Sequence, residues 1–335
     1  MHMKFRPVIL VVLPVALLGV FLTHHQLSPL RQFICIPAAA TAASLSWELS
    51  GVIDRFGGAR QYFVGLCNRS YTIPDLYDVF TAHSIEWAIL GKKDPWWSVI
   101  SADEFRGKVD LPAEQKQRFY DSGKIHRDMI LQDIQVNGSR PLDNRSISVL
   151  DFGCGVGRLG MAFARTFAEV TCVDQSVFHL EIAKKEWQIQ KESDSEARTF
   201  GQLNLKMSGP DLLAAVAAKR FDFVYSLIVL QHMISPLQIV YLEQLCDILK
   251  PGGQGWVHIP TLIPRGLASR PCDVQLSKKQ GGIQMYHTPK VFLEESFRSR
   301  GCNVTVLERG GIWINPSSTS GIILFNKPSH AASLE

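Results

Sequence analysis

From Arg145 onward the chain alternates short aliphatic runs with amphipathic ones, and this alternation restricts the fold more than any other feature of the 335 residues. β-Branched and aliphatic runs predict strands at 146–150, 170–173, 203–207, 221–227 and 255–259, and three-to-four spacing of apolar residues predicts helices at 158–167, 177–191, 211–218 and 236–249. Strands and helices in strict alternation pack as parallel strands with right-handed crossovers and helices on both faces. The tail breaks the pattern. After a helix at 289–300, strands at 303–308 and 321–325 are separated by a Gly-, Asn-, Pro- and Ser-rich turn with no room for a helix, so they pair antiparallel at the sheet edge. The expected fold is α/β: a doubly wound, mostly parallel seven-stranded sheet with an antiparallel C-terminal edge hairpin and a mainly helical N-terminal extension.

In that extension the segment 74–90 places Leu76, Val79, Phe80, Ile85, Ala88 and Ile89 at helical spacing, and Gly91 is expected to stop it. The segment 44–65 is ambiguous between helix and strand. A further helix at 124–135 ends at Asn137-Gly138. The boundaries expected are an apolar segment at 1–30, the helical extension at 31–117, a ligand-binding domain at 118–328 and a tail at 329–335. Residues 8–22, after Lys4 and Arg6, hold fifteen residues without a charge. That is shorter than the roughly 20 needed to span a bilayer upright. It suits a signal-like segment or a short anchor, and Thr23-His24-His25-Gln26 lacks the small residues of a cleavage site. An uncleaved single N-terminal anchor, and so a membrane-associated protein, is preferred over a buried helix or a start-site extension. The side of the membrane stays open: Lys4 and Arg6 place the N-terminus in the cytoplasm and the domain across the membrane.

An apolar share of 46% supports a sizeable core, and 35 basic against 31 acidic residues, with no basic run, argue against a nucleic-acid partner. Seven cysteines, widely spaced and without a C-x-x-C pair, point to no metal site and to core thiols or a reduced compartment. Asn68, Asn137, Asn144 and Asn303 each open an N-x-[ST] triplet, a short pattern that also arises by chance and matters only in a secretory lumen.

The sharpest local signal is Val149-Leu150-Asp151-Phe152-Gly153-Cys154-Gly155-Val156-Gly157-Arg158, an aliphatic strand tipped by a carboxylate and followed by alternate glycines. Glycines let the backbone turn tightly and lie against a ligand where a Cβ would block the approach. Gly155-x-Gly157-x-x-Gly160, with Asp174 nineteen residues after Gly155, also satisfies the dinucleotide fingerprint. Charge leans the other way: a pyrophosphate avoids a carboxylate on the turn, whereas a cationic amino and sulfonium compound tolerates Asp151. Asp174, at the end of the second strand, can accept hydrogen bonds from both hydroxyls of a ribose, and Gln175 or Ser176 is the better cap for the helix that follows.

These segments resemble class I S-adenosylmethionine-dependent methyltransferases with a Rossmann-like domain, particularly bacterial small-molecule enzymes. The resemblance extends over 146–327 and includes Phe221-Asp222-Phe223-Val224-Tyr225-Ser226-Leu227 with Val229-Leu230-Gln231-His232-Met233, and Leu245 to Gly253 before the fifth strand. It implies S-adenosyl-L-methionine as cofactor, with Asp151, Gly153, Cys154, Gly155 and Gly157 around the methionine moiety, Asp174 on the ribose and Gln175 beside the adenine. Ser208, Gly209 and Asp211 occupy the adenine-contacting loop, although Ser208-Gly209-Pro210-Asp211 departs from the commoner Gly-Asp pair, and Ser226 and Leu227 end the fourth strand. Tyr120, in Phe119-Tyr120-Asp121-Ser122-Gly123, is a candidate to close over the cofactor. His232 is the candidate base for a hydroxyl acceptor, or else a histidine that packs beneath the loop. Trp97 and His126 are candidate acceptor contacts, Trp97 being equally a core residue. The acceptor expected is a hydroxyl of a small molecule, sugar or lipid-linked metabolite, and cytosolic supply of the cofactor favours a cytoplasmic domain. Oligomeric state is not legible. The competing expectations are a nicotinamide-dependent oxidoreductase and a silent cofactor-binding scaffold.

Overall fold

In the computed structural model, which describes residues 73–142, 145–264, 283–310 and 318–329, the alternation becomes a layered α/β structure. Two helices come first, α1 (Ile73–Lys93) and α2 (Ala113–Asn137). The repeat follows as β1 (Ser148–Phe152), α3 (Arg158–Ala164), β2 (Glu169–Asp174), α4 (Val177–Ser193), β3 (Gln202–Met207), α5 (Leu212–Ala215), β4 (Phe221–Ser226), α6 (Ser235–Asp247) and β5 (Leu249–Leu262). It ends with α7 (Lys290–Arg298), β6 (Asn303–Gly310) and β7 (Thr319–Asn326). The described residues form a seven-stranded sheet in the order β3-β2-β1-β4-β5-β7-β6. β1 pairs parallel with β2 and β4, β2 with β3, and β4 with β5, while β7 runs antiparallel between β5 and β6. The chain thus winds outward from β1 to β3, returns, and winds the other way through β4. Where the direction reverses, between β1 and β4, the carboxyl ends of the strands open a crevice.

The strands are buried because helices cover them. All five residues of β1 are buried, and Phe163 of α3 stacks on Tyr225 of β4 at 4.2 Å between ring centroids. On the other face Phe152 meets Tyr241 of α6 at 4.9 Å. Trp256 of β5 is fully buried and donates its indole N–H to Asp133 of α2 at 3.0 Å.

Several expectations are corrected. Gly91 does not stop α1, which runs on to Lys93, and Ile85 and Ile89 of the expected apolar stripe are exposed. α2 starts at Ala113, directly after Pro112, so Phe119 to Gly123 are helical and residue 118 lies inside a helix. The expected helix 211–218 shrinks to α5, capped by Asp211 and ended by Ala217 and Ala218 at φ 53° and 59°. β5 takes in Lys250 to Gly253.

The cysteine expectation fails at one place: Cys246 and Cys302 form a disulfide with a Cα separation of 6.2 Å, while Cys154 and Cys172 are buried free thiols. The anchor is corrected too. Among the described residues no helix is long and apolar enough to cross a membrane, which leaves the single N-terminal anchor and a membrane location without support. The stretches 8–22 and 44–65 and Cys35, Cys67 and Cys272 lie outside the described residues.

Candidate functional site

The bend after β1 lies at the switch point. Gly153, Gly155 and Gly157 have φ of 79°, 55° and 79°, a region that costs an L-residue strain. Packing excludes side chains independently: a Cβ on Gly153 would lie 2.3 Å from Val229 Cγ1, and one on Gly155 2.7 Å from Val99 Cγ2. Four amides of the bend are bonded within the protein. Gly153 and Cys154 N–H donate to the Val173 carbonyl at 2.8 and 3.1 Å, Gly155 N–H to Asp174 Oδ2 at 2.8 Å, and Gly157 N–H to the Cys154 carbonyl at 3.0 Å. A diphosphate-binding turn presents such N–H groups to the ligand; here these four are spent within the protein.

The bend borders a cavity that is open to solvent. Two carboxylates line it. Asp174 accepts from Gly155 N–H and from Ser176 N–H, each at 2.8 Å, and a carboxylate has capacity for about four such bonds, so roughly two remain. Asp151 is buried, and desolvation lifts its pKa to about 7, with the negative charge of Asp174 adding to the rise and the Tyr225 hydroxyl and Arg158 opposing it. Arg158 is the one cationic group of the lining, itself buried and held by Ser122 Oγ at 3.2 Å and His126 Nδ1 at 2.6 Å; burial lowers its pKa to about 10.

α1 walls the cavity with Phe80 and Trp87 and fastens Gln175 from both ends. Ser84 Oγ donates to Gln175 Oε1 at 3.1 Å, and Gln175 Nε2 donates to His83 Nδ1 at 3.3 Å. His83 Nε2 in turn donates to the His232 carbonyl. Burial brings the His83 pKa down to about 4, so the ring is neutral and this tautomer satisfies both contacts.

Of the residues singled out from the sequence, Asp151, Gly153, Cys154, Gly155, Asp174, Gln175, Ser208 and Leu227 line the cavity. The others stand behind it. Gly157 is the left-handed cap of α3. The Gly209 carbonyl accepts from the Tyr241 hydroxyl at 2.9 Å, and Asp211 caps α5 by accepting from Ala214 N–H at 3.1 Å. Ser226 Oγ donates to the Phe152 carbonyl at 2.9 Å and Tyr120 to the Val156 carbonyl at 3.2 Å, so both brace the bend from outside. Trp97 is a core residue beneath the Arg106 guanidinium, 4.3 Å from its ring centroid, and His126 faces Arg158. His232 is buried; its Nδ1 donates to the Gln284 carbonyl at 2.9 Å and its Nε2 accepts from Gln231 at 3.3 Å.

Phe80, Trp87, Ser98, Val99, Ile228 and Met233 also line the cavity; the sequence pointed to Phe80 only as a helix position and to Met233 only as part of the segment after the fourth strand. Ile228 carried a signal only by its place between Leu227 and Val229 at the end of β4. Ile228 has φ 60°, a conformation that costs a β-branched residue about 1–3 kcal/mol and concentrates at functional sites.

Residues 150–254 match the family model described as a methyltransferase domain. A ubiquinone biosynthesis O-methyltransferase from Cereibacter sphaeroides is 34% identical over 115 residues, covering 34% of this chain and 42% of that protein. The enzyme of the same description from Coxiella burnetii is 32% identical over 161 residues, covering 41% of this chain and 63% of that protein. The chain therefore spans less than two thirds of the length of these relatives. Among solved structures, the magnesium protoporphyrin IX methyltransferase from Synechocystis PCC 6803 with bound SAH aligns with a TM-score of 0.49 at 17% identity, covering 73% of this chain and 99% of that one. In this chain residues 150–254 thus carry the sequence pattern of a methyltransferase domain on a Rossmann-like sheet, with a glycine bend and a cavity at the switch point.

Proposed function

We propose that the protein transfers the methyl group of S-adenosyl-L-methionine to a hydroxyl oxygen of a small molecule. The observation that carries this reading is a cavity lined by two carboxylates and one guanidinium beside a glycine bend in which four amides are already bonded. Such a site disfavours a diphosphate and favours a cation. The ligand fits the residues present: Asp174 has unused acceptor capacity for a ribose diol, Gln175 is held beside it for the adenine, and Asp151 with the bend faces the methionine end. The O-methyltransferase relatives support an oxygen acceptor.

When bound, the donor supplies an electrophilic methyl group on a good leaving group, so the protein's task is alignment and, for a hydroxyl acceptor, proton removal. Phe80 and Trp87 exclude water from one side. His232, with its pKa lowered to about 4 by burial, is neutral at working pH, but both ring nitrogens are bonded to protein groups. Its role in this reading is to hold the segment around Gln284 against the loop after β4, and so to position the acceptor. His232→Gln is then expected to lower kcat by less than tenfold with an unchanged pH profile, and a loss above a hundredfold that also shifts the profile would make it the base.

Calorimetric titration tests the cofactor. S-adenosylhomocysteine is expected to bind and NAD not to, and Asp174→Ala to weaken S-adenosylhomocysteine by at least about tenfold, the loss of charge-assisted hydrogen bonds. Binding of NAD alone would replace this reading with an oxidoreductase. Binding without turnover on any hydroxyl-bearing acceptor pool would leave a silent scaffold.

A further inference from the structure

The amino ends of the strands, opposite the cavity, carry features that methyl transfer does not use. The Cys246–Cys302 disulfide ties the last turn of α6 to the residue before β6. The next residue, Asn303, opens Asn303-Val304-Thr305, and Asn137, the last residue of α2, opens Asn137-Gly138-Ser139. Both asparagines are exposed, and both border one shallow hollow together with Gln254 and Asn326. The register Asn303↔Asn326↔Gln254 places them toward the amino end of β6 and the carboxyl end of the antiparallel β7, whereas the cavity lies past the carboxyl end of β4, at Leu227. Four of the seven asparagines in the chain open an N-x-[ST] triplet, although only about one residue in nine is Ser or Thr, so that chance supplies about one such triplet. Asn68 and Asn144 lie outside the described residues.

We propose that this face is built for an oxidising, glycosylating compartment, and that Asn303 and Asn137 are N-linked glycan acceptors. Disulfides form and persist in oxidising compartments, the same ones in which asparagine is glycosylated. Side chains at i and i+2 of a strand share a face, so Asn303 and Thr305 both point to solvent and both are exposed. β6 is one of the two edge strands of the described sheet, and a bulky hydrophilic group at its first residue obstructs edge-to-edge pairing with other chains. In the transfer step the Asn303 Nδ2 forms a C–N bond to the anomeric carbon of a diphosphate-linked glycan supplied by the host. The C–O bond to the diphosphate breaks, and the amide nitrogen gives up one proton. A domain in such a compartment needs its methyl donor imported, which is independent of whether it is glycosylated.

The test uses the full chain purified from cells that make it. Enzymatic deglycosylation in heavy-oxygen water converts each glycosylated asparagine to a heavy-oxygen aspartate, read by peptide mass spectrometry, and non-reducing digestion reads the cross-link. The expected result is a marked Asn303 and Asn137 and a Cys246–Cys302 cross-linked peptide. The Asn303 mark should survive Thr305→Ser and vanish in Thr305→Val, while Asn303→Gln leaves S-adenosylhomocysteine affinity within twofold of the parent. An unmarked Asn303 in the parent chain overturns the proposal, whatever the state of the cysteines, and so does a pair of free thiols at Cys246 and Cys302. The readout on the parent chain needs no variant to fold.

Discussion

Asp151 faces a cavity yet is buried, and with its pKa lifted to about 7 it is half protonated where most carboxyls are fully ionised. Because burial disfavours the charge, the ligand-free fold gains from a protonated Asp151. That contribution is complete below the ordinary carboxylate range and is lost as pH rises through about 7. A cation in the cavity reverses the preference, since it binds to the ionised form. S-adenosylmethionine affinity is therefore expected to rise about tenfold from pH 6 to pH 8, following the ionised fraction of a group with pKa about 7. Calorimetry in buffers of different ionisation heat should show proton release at pH 6, and Asp151→Asn should flatten the curve. An affinity that falls with pH would remove Asp151 from the site. That Asp151, Asp174, Gly153 and Gly155 share one cavity was legible because a tight strand-to-helix turn admits few residue types. Tyr120, Ser226 and Asp211 were not separable from them, because the sequence does not distinguish a side chain that touches a ligand from one that holds the backbone around it.

The type and order of the elements from β1 to β7 were legible because periods of 2 and 3.6 survive in the residue pattern, and the antiparallel ending followed from the short link between β6 and β7. α1 was legible as a helix but not as a wall of the site. Its inward face is formed by Phe80, His83, Ser84 and Trp87, polar and aromatic residues that match a hydrogen-bonding cavity, whereas the aliphatic Ile85 and Ile89 on the expected stripe face out. Gly91 shows the same misreading. It reads as a helix stop but is a contact residue: a Cβ there would lie 2.4 Å from Ser176 Oγ and 2.9 Å from His179 Nδ1. Ser176 caps α4, and His179 bonds Ser98 at 2.8 Å, so neither yields freely. Gly91→Ala gains roughly 1 kcal/mol of helix propensity and meets an overpacking cost of about 1–3 kcal/mol. The expected outcome is a lower Tm with weaker S-adenosylhomocysteine binding, because α1 carries Phe80 and Trp87. A higher Tm with unchanged affinity would mean that α1 does not press on the site.

At the scale of the whole molecule, the antiparallel end of the sheet is held differently from its parallel centre. The centre is covered by helices on both faces, whereas β6 has a neighbour on one side only. The disulfide joins this margin to α6 across a separation of 56 residues, a long-range link that spacing alone could not reveal because any pairing of seven cysteines is compatible with the sequence. Closing a loop of this length stabilises the fold by about 4 kcal/mol in the chain-entropy account. For a domain of this size, about 2–4 °C of Tm accompanies each kcal/mol, so reduction, or the double substitution Cys246→Ser and Cys302→Ser, is expected to lower Tm by about 10 °C. The cavity lies at the opposite ends of the strands, so cofactor affinity well below the new Tm should change little. Differential scanning calorimetry with and without reductant, paired with titration at 20 °C, separates the two effects. Loss of affinity in step with stability would mean that the margin and the switch-point crevice are mechanically coupled, and an unchanged Tm would mean that the helix packing of α6 and α7 already fixes this edge without the cross-link.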